Sequence, residues 1–96
     1  MADYKLSAAA ESDLDAIYNY TFETFGPRQA DIYLECLGDA FRRLASMPEI
    51  GRKADGLRPG LFRYLFQSHM IFYTNENDEI VIRRVLHARM DFGSRL

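Results

Sequence analysis

The sequence predicts an α+β domain in which an antiparallel hairpin of two helices packs on a twisted antiparallel β-sheet. Two observations carry this prediction. Apolar residues recur at three- and four-residue steps through residues 7–47, and three runs rich in aromatic and β-branched residues follow within residues 61–86. A sheet with one apolar face needs a covering layer, and the helical hairpin is the element that can supply it.

The first elements are a short strand and a helix. Tyr4–Leu6 alternates in polarity and is expected to form an N-terminal edge strand, and Ser7 then stands where a helix N-cap belongs. The helix is expected to run to Phe25, with a buried stripe that consists of Leu14, Ile17, Tyr18, Thr21 and Phe25.

The second helix is expected from Pro27 to Met47, with Gly26 ending the first helix and Pro48 ending the second. So short a connection favours an antiparallel pair. Its buried stripe consists of Ala30, Tyr33, Leu34, Leu37, Ala40, Phe41, Leu44 and Ala45. Cys36 falls among these positions and is expected to be a buried, inert thiol.

The second half predicts an irregular loop and then three strands. Residues 49–60 hold glycine, proline and charged residues without a period, which is typical of a loop. Strands are expected over residues 61–66, 69–73 and 79–86. Residues 67–68 and 74–78 are short polar connections, and these favour consecutive antiparallel hairpins.

The composition excludes several classes of protein. A chain of 96 residues with 48% apolar side chains fits a single domain spanning residues 1–96 that is too small for a deep cavity with its own lid. One cysteine cannot form an intrachain disulfide, and two histidines at unrelated positions suggest no metal site. We expect no cofactor, no membrane segment and no signal peptide, and therefore a cytoplasmic protein.

The charge is unevenly distributed along the chain. The net charge is −2, but residues 1–48 carry four basic and eight acidic side chains, while residues 49–96 carry eight basic and six acidic ones. From Arg83 onward, four arginines face only Asp91. This C-terminal end could meet an acidic partner, or it could pair internally with the acidic first half.

The sequence contains few residues that suggest an enzyme. Asp13 and Asp15 do not share a helix face and are expected to be solvated charges. Acid–base cleavage of RNA is the reaction that the side chains could support, with His87 as general acid or base and Arg63, Arg83 and Arg84 gripping phosphates. His69, Tyr64 and Tyr73 are further residues of suitable type, but structural roles are the stronger explanation for them, because His69 opens a strand and both tyrosines belong to the aromatic runs that fill the core.

A set of short fragments, in order along nearly the whole chain, resembles the ParE branch of the RelE/ParE toxin superfamily. The fragments are Tyr4-x-Leu6-Ser7-x-Ala9-Ala10-x-x-Asp13-Leu14-x-x-Ile17-x-x-Tyr20, Gly26 with the helix through Ala30 and Tyr33, Pro48-x-x-Gly51-Arg52, Arg58-Pro59-Gly60, Ser68-His69-x-Ile71-Phe72-Tyr73, and Ile82-x-Arg84-Val85-Leu86-His87-x-Arg89-Met90-Asp91.

The resemblance implies the toxin of a bacterial type II toxin-antitoxin module. It implies a helical hairpin on an antiparallel sheet, and an antitoxin of the ParD kind whose extended C-terminal segment wraps the toxin. Members of this branch act on DNA gyrase and cause DNA damage. RNA-cleaving relatives carry an Arg where this chain has Met70 and an aromatic residue where it has Ala88, so that constellation is incomplete here.

Three hypotheses follow. In the first, the chain is a non-enzymatic inhibitor that binds gyrase, forms a hetero-oligomer with a ParD-like antitoxin and meets DNA only indirectly through either protein. The resemblance places target contacts at His87, Arg89, Met90 and Phe92. Candidate antitoxin contacts are Tyr4, Leu6, Phe62, Tyr64 and Phe66. In the second, the chain is a ribosome-dependent mRNA endoribonuclease, and in the third it is a decayed module retained as a binding partner.

Overall fold

The first layer of the fold is the helical hairpin. The structure is a computed structural model that describes residues 3–96. Helix α1 (Ala8–Phe25) begins at Ser7, whose hydroxyl accepts a hydrogen bond from the backbone N–H of Ala10 at 3.0 Å. Only Gly26, at φ +94°, separates α1 from helix α2 (Pro27–Ser46). Glycine adopts this backbone conformation readily, so the two helices fold back along each other as the sequence predicts.

The second layer is a five-stranded sheet. Strands β1 (Tyr4–Leu6), β2 (Arg52–Lys53), β3 (Phe62–Phe66), β4 (His69–Glu76) and β5 (Glu79–His87) lie in the order β1-β5-β4-β3-β2. The α+β class is therefore confirmed, but the sheet is mixed, because β1 pairs in parallel with β5 while the other pairs are antiparallel. The alternation of apolar and polar residues in Tyr4–Leu6 predicts which side chains face the core. It carries no information about whether β1 runs parallel or antiparallel to its neighbour.

Two segments that were expected to be loops contribute to the sheet. Strand β2 pairs Arg52 with Arg63, and it follows a 3-10 turn at Pro48–Ile50. Strand β4 continues to Glu76, so the connection to β5 is only Asn77–Asp78 and not residues 74–78. Both turn residues have positive φ, at 54° and 64°, which Asn and Asp tolerate in two-residue hairpins.

The main core fills the space between the sheet and the helices. Its members from α2, β4 and β5 include Leu37, Phe41, Ile71, Tyr73 and Ile82, all at most 2% exposed. The buried Tyr73 hydroxyl donates to the Pro48 carbonyl at 2.7 Å and thereby ties the turn before β2 to the sheet. Cys36 is only half-buried, so its expected full burial was wrong.

A smaller apolar cluster covers the opposite face of the sheet. Ala54, Leu61, Phe72 and Leu86 form it, with Phe92 and Leu96 packed against them from the C-terminal segment. The rings of Phe72 and Phe92 meet edge to face at 4.9 Å between centroids. Another 3-10 turn, Phe92–Ser94, therefore serves to close the second face.

Helix α1 is fastened to β5 by Asp13, which was expected to be a solvated charge. The Asp13 side chain is 12% exposed, and it accepts hydrogen bonds from Arg84 Nε and Nη2 at 2.8 Å each and from the Val85 N–H at 2.9 Å. The expectation was wrong because it weighed only the neighbouring Asp15, whereas the partner of Asp13 lies 71 residues away.

The other end of α1 is not covered. Phe25 was expected in the buried stripe, yet 67% of it is exposed, because the last turn of α1 overhangs a cavity at the His69 and His87 ends of β4 and β5. Within residues 3–96 the structure contains no helix with the length and apolar character needed to span a membrane.

Candidate functional site

A groove runs beside the uncovered end of α1. Two cavities, of about 620 and 510 Å³, share Tyr20, His69 and His87 in their walls and so form one continuous depression. We call this the histidine groove, and its principal lining residues are Tyr20, Phe25, Tyr33, His69, His87 and Met90.

Two histidines meet in the wall of the groove. The pairing of β4 with β5 places His69 opposite His87, and their ring centroids are 5.5 Å apart. The Tyr33 hydroxyl lies 2.6 Å from His69 Nδ1. Burial lowers the pKa of His69, and the neighbouring His87 lowers it further, while burial raises the pKa of Tyr33. The Tyr33 hydroxyl therefore donates to a neutral His69 at neutral pH.

His87 is held by the chain that follows it. Its Nδ1 accepts the backbone N–H of Arg89 at 3.2 Å, and its carbonyl accepts the N–H of Met90 at 2.9 Å. The Ala88 N–H also donates to the Ser68 carbonyl at 2.8 Å. The segment after β5 is thus a defined turn that fixes the histidine at the rim of the groove.

The structure does not bring together the residues that RNA cleavage would require. Arg83 pairs with Glu76 and donates to the Thr74 hydroxyl at 3.2 Å, and hydrogen bonds from Thr74 and then Arg83 lower the pKa of Glu76. Arg84 is engaged by Asp13, whose hydrogen bonds raise its pKa, and it also donates to the Arg95 carbonyl at 2.6 Å. Both guanidinium groups are thus occupied by intramolecular partners.

Arg63 is separated from His87 by the sheet itself. Arg63 lies opposite Phe72, and Phe66 lies opposite His69, so the strand alternation puts Arg63 on the other face from the histidine pair. Among residues 3–96, no three or more His, Cys, Asp or Glu side chains are grouped to hold a metal ion.

The expected target contacts lie close to one another but differ in exposure. His87 and Met90 both line the groove, and Met90 is 40% exposed. Arg89 is exposed between them. Phe92 is half-buried against Phe72 and belongs to the cluster on the second face of the sheet.

The expected antitoxin contacts lie near opposite edges of the sheet, and all of their side chains face the main core. Tyr4 and Leu6 on β1, and Phe62, Tyr64 and Phe66 on β3, are half-buried there. The outward face of β3 instead carries Arg63 and Leu65, and 56% of Leu65 is exposed.

The edge of β3 is open over much of its length. Strand β2 pairs only with Phe62 and Arg63, so within the described residues Tyr64–Phe66 have no strand on the side away from β4. We call Tyr64–Phe66 the open β3 edge. A cavity of about 340 Å³ toward α2 includes Arg43, and another of about 450 Å³ includes Arg52 and Arg63.

Sequence reasoning missed the aromatic part of the groove. Tyr20 lies off the predicted stripe of α1, and Phe25 was expected to be buried, yet 66% and 67% of these residues are exposed. The position of Tyr20 outside the apolar stripe was the signal in the sequence that could have indicated an exposed aromatic surface. His69 was expected to have a structural role, and its contact with His87 depends on the register of β4 and β5.

Comparison with known proteins identifies relatives over the whole fold. The model of the ParE toxin family, described as the ParE toxin of the type II toxin-antitoxin system parDE, matches residues 4–92. Toxin ParE1 of Mycobacterium tuberculosis is 42% identical over 95 residues, which are 97% of this chain and 96% of that protein. Toxin ParE1 of Caulobacter vibrioides is 34% identical over 96 residues, which are 100% and 99% of the two chains.

A solved structure has the same architecture. It is described as a chromosomal ParDE TA system from P. aeruginosa, and it superimposes with a TM-score of 0.80 at 22% identity, covering 93% of this chain and 98% of that one. At this level of identity the structural similarity establishes the fold alone, and the family assignment rests on the family model and the sequence relatives.

Proposed function

Because the chain belongs to the ParE toxin family of type II toxin-antitoxin systems, we propose that it inhibits DNA gyrase by direct protein contact and that a ParD-like antitoxin neutralises it. The observation that carries this proposal is the family match over residues 4–92, which includes the segment assigned to the target. DNA gyrase acts on the bacterial chromosome in the cytoplasm, so we propose that the toxin is cytoplasmic as well.

The target surface of the proposal is the turn after β5, together with the groove rim. Arg89 and Met90 are exposed there, beside His87. A cation next to a flexible thioether suits a protein contact, because Arg donates several hydrogen bonds and Met adapts its shape to an apolar partner. Phe92 contributes by holding the segment against Phe72.

The charges support binding over catalysis. A ribonuclease needs cations that are available to the phosphate, and Arg83 and Arg84 are both held by carboxylates of this chain. The proposed toxin therefore acts as a protein inhibitor without chemistry of its own.

The direct test is a gyrase supercoiling assay with purified toxin. We expect the double variant Arg89→Glu, Met90→Ala to raise the inhibitory concentration at least tenfold, because it removes a cation and an apolar contact from the rim. A matched control is Arg28→Glu on the exposed surface of α2, which should inhibit like the wild type. Equal inhibition by the double variant and the control would place the target contact elsewhere.

The proposed antitoxin site is the open β3 edge. An extended segment can add there as a further strand through backbone hydrogen bonds, with alternate side chains entering the two flanking cavities. Phe62, Tyr64 and Phe66 then contribute their backbone and the cavity walls, while Arg43, Arg52 and Arg63 favour an acidic segment. The three-residue edge of β1, with Tyr4 and Leu6, is a shorter second candidate.

A ribosome-dependent mRNA endoribonuclease is the second candidate function. The contact between His69 and His87 favours it, because an acid and a base within one groove are the groups that RNA cleavage needs. Translation-dependent cuts in mRNA that His87→Ala abolishes would support this function over gyrase inhibition.

A further inference from the structure

The C-terminal segment, residues 88–96, carries the proposed target contacts but contains no strand or long helix. It follows β5 as a turn, continues through the 3-10 turn Phe92–Ser94 and ends at Leu96. Arg89 and Met90 are exposed in it, and Arg89 forms no ion pair within residues 3–96. Exposed side chains bind a partner better when their backbone is already ordered, because ordering it during binding costs conformational entropy. The contacts that hold this segment in place therefore affect how well the toxin binds its target.

The segment is held at its start, in its middle and near its end. Backbone hydrogen bonds to the turn before β4 and to the end of β5 fix its start, and the Phe92 ring packs on Phe72 in its middle. Near its end, Arg84 Nη1 donates a hydrogen bond to the Arg95 carbonyl at 2.6 Å. Within the described part of the chain, this is the only hydrogen bond that joins residues 93–96 to the helices or the sheet. Arg84 is therefore the polar anchor of the segment.

Arg84 can anchor the segment because α1 fixes its guanidinium. Strand β1 ends at Leu6, opposite Ile82, and beyond this point Asp13 of α1 accepts the Val85 N–H on the edge of β5 at 2.9 Å. The same carboxylate binds Arg84 through Nε and Nη2, at 2.8 Å each. These two nitrogens form one side of the planar guanidinium, so Nη1 is left for the carbonyl of the C-terminal segment. One side chain therefore joins α1, β5 and the segment.

We propose that Arg84 is a positioning residue for target binding, which holds the C-terminal segment so that Arg89 and Met90 are presented to gyrase. This inference rests on the proposed function, and it gives Arg84 two separable roles. The pair with Asp13 stabilises the fold, whereas the hydrogen bond to the Arg95 carbonyl orders the target contacts. Lysine carries a single compact ammonium group on a flexible stem, so a lysine here can pair with Asp13 but cannot also hold the carbonyl.

The test is the variant Arg84→Lys in the full chain, measured by NMR relaxation and in the gyrase supercoiling assay. We expect backbone order parameters over residues 89–95 to fall from about 0.85 to below about 0.6, while those of the helices stay unchanged. The inhibitory concentration should rise roughly five- to tenfold, because only molecules with an ordered segment bind the target. The Tm should stay within about 5 °C of the wild type, since the pair with Asp13 remains. Arg42→Lys is the matched control, because Arg42 also pairs with an aspartate, Asp39, on the exposed side of α2, and it should match the wild type in both measurements.

Three results would overturn the proposal. Unchanged order parameters in Arg84→Lys would show that Arg84 does not hold the segment. Lower order parameters with wild-type inhibition would show that order in the segment does not matter for target binding. A large fall in Tm with parallel losses of gyrase inhibition and antitoxin binding would show that Arg84 supports only the fold as a whole. If the wild-type toxin does not inhibit gyrase, the proposed function itself fails, and the order parameters still decide whether Arg84 holds the segment.

Discussion

Replacing Asp13 by Asn tests how α1 is held on the sheet. The Asp13 carboxylate accepts two hydrogen bonds from Arg84 and one from the Val85 N–H, and only 12% of its side chain is exposed. The variant removes the charge and replaces one acceptor oxygen by a donor. Arg84 is then left without its counter-charge at the junction of α1, β5 and the C-terminal segment.

The magnitude follows from the burial of the two partners. Removing one member of a fully buried ion pair costs roughly 3–5 kcal/mol. Water reaches part of Arg84, whose side chain is 23% exposed, so we expect a loss of about 2–3 kcal/mol in the free energy of unfolding. For a domain of this size, that loss lowers Tm by roughly 10–20 °C.

The assay is urea unfolding at pH 7, followed by circular dichroism, with the Tm measured in parallel. Asp15→Asn is the matched control, because Asp15 is exposed on the same helix and has no ion pair among the described residues. We expect this control to change stability by less than about 0.5 kcal/mol. If Asp13→Asn costs no more than Asp15→Asn, then Asp13 does not anchor the helix and the reasoning is refuted.

Two further predictions concern the core and the histidine pair. Gly51→Ala should destabilise the fold by about 1–3 kcal/mol, because a Cβ there would overlap the Tyr73 hydroxyl and ring, whereas Gly56→Ala, with open space around it, should stay within about 0.5 kcal/mol in the same urea titration. Burial and His87 lower the pKa of His69 below its ordinary value, so the unfolded chain binds more protons near pH 6, and stability should fall as the pH drops below about 6.5. His69→Gln should flatten that decline, and an unchanged pH profile in the variant would show that His69 does not cause it.

Local signals in the sequence predicted most of the fold. Ser7 and Gly26 mark the ends of the helices through their own backbone preferences, and the stripe of α2 from Ala30 to Ala45 is buried or half-buried as the 3.6-residue period indicates. These features depend on residues within a few positions of one another, and a single sequence records them directly.

The remaining features depend on tertiary contacts. The parallel direction of β1 follows from its pairing with β5, and the ion pair between Asp13 and Arg84 joins residues 71 positions apart. The walls of the histidine groove come from both helices and from β4 and β5, and Phe25 is exposed in one of these walls. The register that brings His69 to His87 depends on the two-residue turn between β4 and β5 and on the register shift at Phe72 and Tyr73. The periodicity of apolar residues therefore predicted the helical layer and the sheet, but it did not predict the groove that their residues form together.

The resemblance to the ParE branch is confirmed by the family match and by the relatives that span almost the whole chain. It predicted the helical hairpin on a sheet and the toxin family. The structure adds a groove next to the segment that the resemblance assigned to the target. Of the arginines expected to grip phosphates, Arg83 and Arg84 are paired with carboxylates, and Arg63 lies on the other face of the sheet from His87.

The central claim, that this chain inhibits gyrase by binding and does not cleave RNA, is tested most directly by two assays on one toxin preparation. Purified toxin is added to a gyrase supercoiling reaction and to ribosomes programmed with mRNA, each with and without the antitoxin. We expect inhibition of supercoiling that the antitoxin relieves, together with intact mRNA. Unimpaired supercoiling together with mRNA cleavage that the antitoxin suppresses would contradict it.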